Sequence, residues 1–350
     1  MQRVLEGRYR GVRIDHVRMN FSRGMDEVGR LRLRKVGHLL QLIVRVMAAR
    51  LGFGSHALYY PPAGPERIPM YRDIILLLAT RWMFRHTIFH FQASGLSEMY
   101  PRLGPLAKLL FRAAYYRADI GIRTDVFAPP DPARLRSRRE ALIPNALEDV
   151  AAQTPRDPTF LANPPVPTIL FVGVVRESKG VLDLIRASAL LHRRGINFRL
   201  QVVGQFESDS FEKAARQLAE REEVPAEFGG VLIGELKYKA YAHASVFCLP
   251  SYYASEASPV VLIEAMQFGL PIVSTQWRGI PSMIEEGYNG FLVPIRDADA
   301  LADRLSILLL DPAMARRIGE NGRQRFEEKF TLTAFQSSIQ QVFDGLAEKS

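Results

Sequence analysis

The chain has 350 residues, 47% apolar and 24% charged, with a net charge of +9. These are globular values in a chain long enough for two domains. Residues 1–150 hold 25 Lys+Arg against 13 Asp+Glu, a net of +12, and the rest holds 21 against 24, a net of −3. The single cysteine, Cys248, lies in the apolar run SVFCLP; it excludes an internal disulfide and points to a reducing, cytoplasmic compartment, with the thiol a small buried strand residue.

The opening segment MQRVLEGRYRGVR is polar and basic, without the apolar stretch of a signal peptide. In chain order, VRIDHVRMNF, SHALYY, TIFHFQA and ADIGIRT read as strands, and segments around 32–50, 69–84 and 103–116 as helices. The apolar windows HLLQLIVRVMAARLGF and RDIILLLATRWMF are each interrupted by arginine, which suits core helices better than membrane spans. The densest basic clusters are Arg30–Lys35 and Arg134–Arg139. A basic first half suggests an anionic surface or partner, membrane lipid or nucleic acid. No zinc spacing or aromatic RNA-binding pattern supports nucleic acid.

A Pro-rich, aperiodic linker follows over 151–166. The second half then alternates strand and helix: PTILFVGVV, KGVLDLIRASALLHRRG, NFRLQVVG, SFEKAARQLAEREE, VLIG, LKYKAYAHA, SVFCLPS, PVVLIEAMQFG, PIVST, a short helix at PSMIEE, and GFLVP. This order implies a parallel sheet with ligands at the carboxyl ends of its strands. A last helix covers about Leu332–Glu348.

The most informative stretch is PSYYASEASPVVLIEAMQFGLPIV at Pro250–Val273. Ser258-Pro259 is a helix-start signal, with Ser258 as the cap and Pro259 in the first helical position. Glu256 falls in the loop before this helix and Glu264 in its second turn. The N–H groups of Val260 and Val261 point toward the loop, an anion site. Carboxylates beside a phosphate site suit sugar hydroxyls, so the pair suggests a sugar nucleotide. Lys179, in ESKG at the start of another helix, adds a cation for pyrophosphate. Asp297-Ala-Asp299 has the D-x-D pattern of metal-dependent transferases, but it precedes a helix and reads as capping; no metal is expected.

The pattern E-x7-E followed by A-M-x-x-G-x-P-I-V, with FVGVVRESKG at Phe171–Gly180, VVGQF at Val202–Phe206 and GYNGFLVP at Gly287–Pro294, resembles the retaining glycosyltransferases of group 1, or family 4. The likeness runs from Thr168 to about Phe330. It implies an α/β protein of GT-B architecture: two Rossmann-like doubly wound domains facing a central cleft, the first short of its N-terminal strand and Gly-rich loop. The implied domains are an acceptor-side domain over 1–150, the linker, a nucleotide-sugar domain over 167–330, and a C-terminal helix over 331–350 that packs back on the first. IPNALED at Ile143–Asp149 resembles the segment entering the linker, with Ala146 in place of glycine.

The resemblance further implies donor binding by Gly173, Arg176, Lys179, Ser258, Val260, Val261 and Glu264. Glu264 would hold the ribose, and Glu256 would face the transferred sugar as a catalytic residue. Val174 stands where the family places a basic residue; Arg176, two positions on, is either its substitute or a surface arginine. In the first domain the strand end IFHFQA offers two alignments for a further catalytic group, His90 or Gln92. The implied reaction moves a hexosyl group, with retention, from a UDP- or GDP-linked sugar to a glycan or polyprenyl-linked acceptor in surface or exopolysaccharide synthesis. The nucleotide sugar is co-substrate and no cofactor is needed. The basic domain would lie peripherally on the inner membrane face. The alternative is a non-catalytic homologue serving as a binding subunit of a polysaccharide assembly; an epimerase or phosphorylase would need acids or a cofactor lysine that the sequence lacks.

Overall fold

The computed structural model describes residues 4–5, 7–19, 33–127, 129–154 and 166–347. The chain divides into two compact units: residues 1–144 with 335–350, and residues 145–334. The division falls at Pro144/Asn145, so residues 145–150, expected in the first domain, belong to the second unit. Most of the expected linker lies outside the described residues.

In the first unit, helix α1 (Leu33–Phe53) precedes β1 (Ala57–Tyr60), α2 (Arg67–Thr80), β2 (His86–Phe91), α3 (Pro105–Tyr115), β3 (Ile120–Arg123), the short α4 (Asp131–Arg134) and β4 (Arg139–Leu142). All four strands pair in parallel, in the order β1-β2-β3-β4. The two-residue strand period sorts β2 by face. Phe89 meets Tyr115 of α3 at 6.1 Å and Phe91 at 6.2 Å. His90, on the other face, stacks at 6.3 Å on Phe335. Phe335 belongs to α11 (Leu332–Ala347), which also brings Phe343 to Tyr59 at 6.4 Å.

One expectation for this unit fails, and one strand was not expected. Residues 12–19 of the predicted first strand form no ladder. Instead Asp15 accepts from Ser55 Oγ at 2.9 Å, and Ile14, Val17 and Met19 line a cavity of ≈ 450 Å³ against β1 and α1. Residues 20–21 lie outside the described set. Conversely β4 carries no apolar run. It is an edge strand, REAL, in which half-buried Arg139 and Ala141 alternate with exposed Glu140 and Leu142.

The second unit contains β5 (Thr168–Val172), α5 (Val181–Arg193), β6 (Arg199–Val203), α6 (Asp209–Arg221), β7 (Ala226–Phe228), α7 (Gly234–Ala242), β8 (Val246–Leu249), α8 (Val260–Gln267), β9 (Ile272–Thr275), β10 (Gly290–Val293), α9 (Ala298–Leu310) and α10 (Pro312–Lys329). The sheet order is β10-β9-β8-β5-β6-β7, all parallel. The strand order reverses between β5 and β8, which opens a crevice beyond their carboxyl ends. Near-continuous apolar strands, including Ile169–Phe171 and Val246–Leu249 with Cys248, are buried on both faces. The second strand after β5 is Ala226–Phe228 rather than VLIG. Gly229 N donates to Val202 O at 2.9 Å and ends the ladder, and Val231 and Ile233 are exposed in the loop beyond. The short helix expected at PSMIEE is a single 3₁₀ turn, Ile280–Ser282.

Candidate functional site

The loops at the carboxyl ends of β5 and β8 meet through glycine. Gly180 precedes α5 at φ +74°, and a Cβ there would stand 2.1 Å from Pro250 O. Only a residue without a side chain allows this approach, which brings Lys179 beside the loop after β8. Tyr252 N donates to Ser178 O at 2.8 Å and closes the contact. At the end of β5, Gly173 N donates to Val203 O at 3.0 Å, and Gly173 O lies against Gly204. Val174 is only partly buried, while the next residue, Val175, is fully buried and donates its N–H to Gln205 O at 2.9 Å.

Glu256 is 6% exposed. One of its oxygens, Oε2, accepts from Lys179 Nζ at 2.6 Å and from Ser251 Oγ at 2.5 Å. The Lys179 ammonium also lies 5.0 Å from the Tyr253 ring centre, and the Arg176 guanidinium lies 5.1 Å from the same ring. Arg176 Nε is 3.3 Å from Glu207 Oε2, without an aligned hydrogen bond. Two cations thus lie against one aromatic ring, and each touches a carboxylate. The arrangement can receive a polyanion, with both side chains turning from carboxylate to phosphate.

Glu264 is held at both oxygens. Lys237 Nζ lies 2.6 Å from Oε1, and Tyr241 OH donates to Oε2 at 2.7 Å. Lys237 and Tyr241 are four residues apart on α7 and so share a helix face. Burial, and then the Glu264 charge, push the Tyr241 phenol well above its ordinary pKa, so it stays a donor. Each carboxylate oxygen can accept more than one hydrogen bond; a neighbouring pair of hydroxyls can join these partners.

The expected cap at Ser258 does not form. Pro259 occupies the cap position of α8 and Val260 begins the helix. The Ser258 hydroxyl turns inward, 3.7 Å from Met283 Sδ, and its carbonyl accepts from Asn145 Nδ2 at 2.9 Å. With ψ 117° Pro259 is extended, which aims the chain away from the N–H groups that Ser258 would have capped. The first-turn N–H groups of Val260 and Val261 are those that a helix leaves without an intrahelical acceptor. Asp297 is a helix cap: its Oδ1 accepts from Ala300 N at 2.9 Å. Asp299 lies in the first turn of α9. Among the described residues no group of three or more His, Cys, Asp or Glu could hold a metal ion.

In the first unit, His90 is buried, with Tyr59 OH on Nδ1 and the Gln92 amide 2.8 Å from Nε2. A neutral imidazole has one donor and one acceptor nitrogen, so these two neighbours use both. Burial pushes the His90 pKa down to about 3. Of the two, only Gln92 keeps partial exposure.

The second unit therefore gathers Gly173, Arg176, Lys179, Glu256, Val260 and Val261 on neighbouring loops and one helix start, with Glu264 on the same helix. Ser251, Tyr253, Lys237 and Tyr241 were not singled out from sequence. The first two stand inside the Pro250–Glu256 motif, and the i, i+4 spacing of Lys237 and Tyr241 is the signal that marks the others.

Residues 156–325 match the family described as glycosyl transferases group 1. WcaL of Escherichia coli, named for colanic acid biosynthesis, is 31% identical over 185 residues, 51% of this chain and 45% of WcaL. The capsular polysaccharide biosynthesis glycosyltransferase CapM of Staphylococcus aureus is 27% identical over 184 residues, 51% of this chain and 46% of CapM. The chain thus spans about half the length of the curated relatives it matches. The structure of Anabaena HepE in complex with UDP superposes with a TM-score of 0.70 at 16% identity, covering 89% of this chain and 84% of HepE. That likeness shows the fold, GT-B.

Proposed function

We propose that this chain, a member of the group 1 glycosyl transferases, transfers a hexosyl group from a nucleotide-sugar donor to a glycan or polyprenyl-linked acceptor, with retention of anomeric configuration. The observation that carries the proposal is the paired arrangement at the carboxyl edge of the second sheet: Lys179 and Ser251 on Glu256, Lys237 and Tyr241 on Glu264. In this reading Glu264 accepts from the ribose hydroxyls, and Lys179, Arg176 and the first N–H groups of α8 take the pyrophosphate. As the glycosidic bond to the donor breaks, charge builds on the β-phosphate, where these donors stabilise it. Glu256, released from Lys179 by the phosphate, stays oriented by Ser251 and meets the sugar. Gln92 or His90 serves the acceptor side.

WcaL and CapM are named for colanic acid and capsular polysaccharide biosynthesis, which favours surface or exopolysaccharide synthesis; HepE, crystallised with UDP, favours a uridine donor over GDP. The reading places the protein in the cytoplasm, peripherally on an anionic inner membrane face. A second reading, a non-catalytic binding subunit, is favoured by one observation: Val174, where the family has a basic residue, cannot contact phosphate through a charge. A thermal-shift screen against UDP, GDP, ADP and their sugars tests donor binding. A ligand at a hundredfold excess over Kd stabilises by about 2.7 kcal/mol. A clear shift with one base supports the site, and no shift with any nucleotide removes it.

A further inference from the structure

The helical layer of the first unit is apolar on both sides. Its inner side, with Leu42, Met70, Ile74, Leu77, Phe111 and Tyr115, fills the core. Its outer side should then be polar, and it is not. Among the described residues, seventeen large hydrophobic side chains are exposed, and ten of them lie on α1, α2 with its following 3₁₀ turn, and α3. They fall at helical spacing: Leu40, Val44 and Leu51 on α1, Ile68, Tyr71 and Ile75 on α2, Leu106 and Leu109 on α3. Trp82 is 73% exposed and Leu106 70%. Helix α1 packs on α2 and α2 on α3, so the stripes are neighbours on one surface.

The charges on the same stretch have one sign. Between residues 37 and 117 the exposed Lys, Arg, Asp and Glu side chains are Arg45, Arg67, Arg85, Arg102, Arg112 and Arg117 against a single acid, Glu66. Apolar side chains flanked by arginine, with tryptophan among them, form the composition that lies in the headgroup region of a bilayer. Two copies of the chain meeting through this face would bring like charges together, whereas anionic lipid phosphate complements them. No helix among the described residues is long and apolar enough to cross a membrane, so the contact is with the surface.

We propose that the outer face of α1–α3 docks on an anionic lipid bilayer, with Trp82, Leu106 and Leu109 entering the headgroup–acyl boundary and the arginines meeting lipid phosphate. This deepens the membrane element of the proposed function, yet it stands independently of the donor chemistry.

The test uses the full chain with vesicles of phosphatidylcholine alone and with phosphatidylglycerol added. The protein has two tryptophans, so Trp277→Phe leaves Trp82 as the reporter. Expected are sedimentation with the anionic vesicles and a blue shift of Trp82 emission, quenched by brominated acyl chains. Leu106→Asp with Leu109→Asp, both at exposed positions, should abolish the shift and leave the unfolding midpoint unchanged. Each of Arg45→Gln, Arg67→Gln and Arg112→Gln should weaken binding about fivefold, from the ~1 kcal/mol that an arginine contributes near an anionic surface. Unshifted Trp82 emission on anionic vesicles overturns the proposal. So does a soluble dimer that the two leucine substitutions dissociate, which would make the face a protein interface. Because nucleotide binding is read separately in the thermal-shift screen, failure here leaves the donor site standing.

Discussion

Replacing Glu264 by glutamine isolates the ribose contact. The carboxylate is 8% exposed and lies 2.6 Å from Lys237 and 2.7 Å from Tyr241. Glutamine keeps the shape, and its amide oxygen still accepts from Tyr241. Lys237, whose side chain is 24% exposed, can turn to water, so the fold should survive. What disappears is a charged acceptor for the ribose. Hydrogen bonds to charged groups contribute about 1.5–3 kcal/mol, so Kd for the best nucleoside diphosphate should rise roughly 10- to 150-fold. Calorimetry with that nucleotide and its 2′- and 3′-deoxy analogues tests the cause. In the native protein, removing a hydroxyl should weaken binding markedly; in Glu264→Gln the same removal should change little, since its partner is already lost. Equal losses in both proteins would refute the assignment, even if Glu264→Gln bound nucleotide poorly.

Other expectations follow from the same geometry. Glu256→Ala should lower kcat at least about tenfold, a barrier change of ~1.4 kcal/mol, with a much smaller change in nucleotide Kd; steady-state kinetics beside calorimetry separate the two. Gly180→Ala, at φ +74° with a Cβ 2.1 Å from Pro250 O, should destabilise by ~2 kcal/mol or more in denaturant unfolding and weaken nucleotide binding by displacing Lys179. At His90 the unfolded chain takes up a proton below about pH 6.5, whereas burial holds the folded value down to about 3. Between these values the unfolded state binds more protons, so stability falls as pH falls, by about 1.4 kcal/mol per unit. Unfolding measured across this window should show a shallower acid loss for His90→Gln than for the native protein.

The second unit was more legible in sequence than the first. Its central strands β5, β8 and β9 are buried on both faces, so they appear as apolar runs, and the loops after them carry the glycines and charges of the site. Glu256 and Glu264 could be singled out because their spacing frames a helix start. The failures are local. Ser258-Pro259 has the composition of a cap, but Met283 and Asn145 provide tertiary contacts that turn Ser258 away. VLIG looks like a strand, but the ladder to β6 ends at Gly229. In the first unit, residues 12–19 read as a strand but run extended along a cavity without pairing, while edge strand β4 is too polar to register. The i, i+4 spacing of Lys237 and Tyr241 puts them on one helix face, but that this face meets Glu264 is a tertiary contact that one sequence does not display.

The most direct test of the central claim follows the hexose itself. The full chain is incubated with the sugar nucleotide that binds best and a lipid-linked glycan extract, and the labelled product is examined by NMR for its anomeric configuration. Transfer of hexose with the donor's configuration, lost in Glu256→Ala, is the expected result. Tight donor binding without transfer across a broad acceptor panel would contradict it and favour the binding-subunit reading; an inverted product would contradict retention.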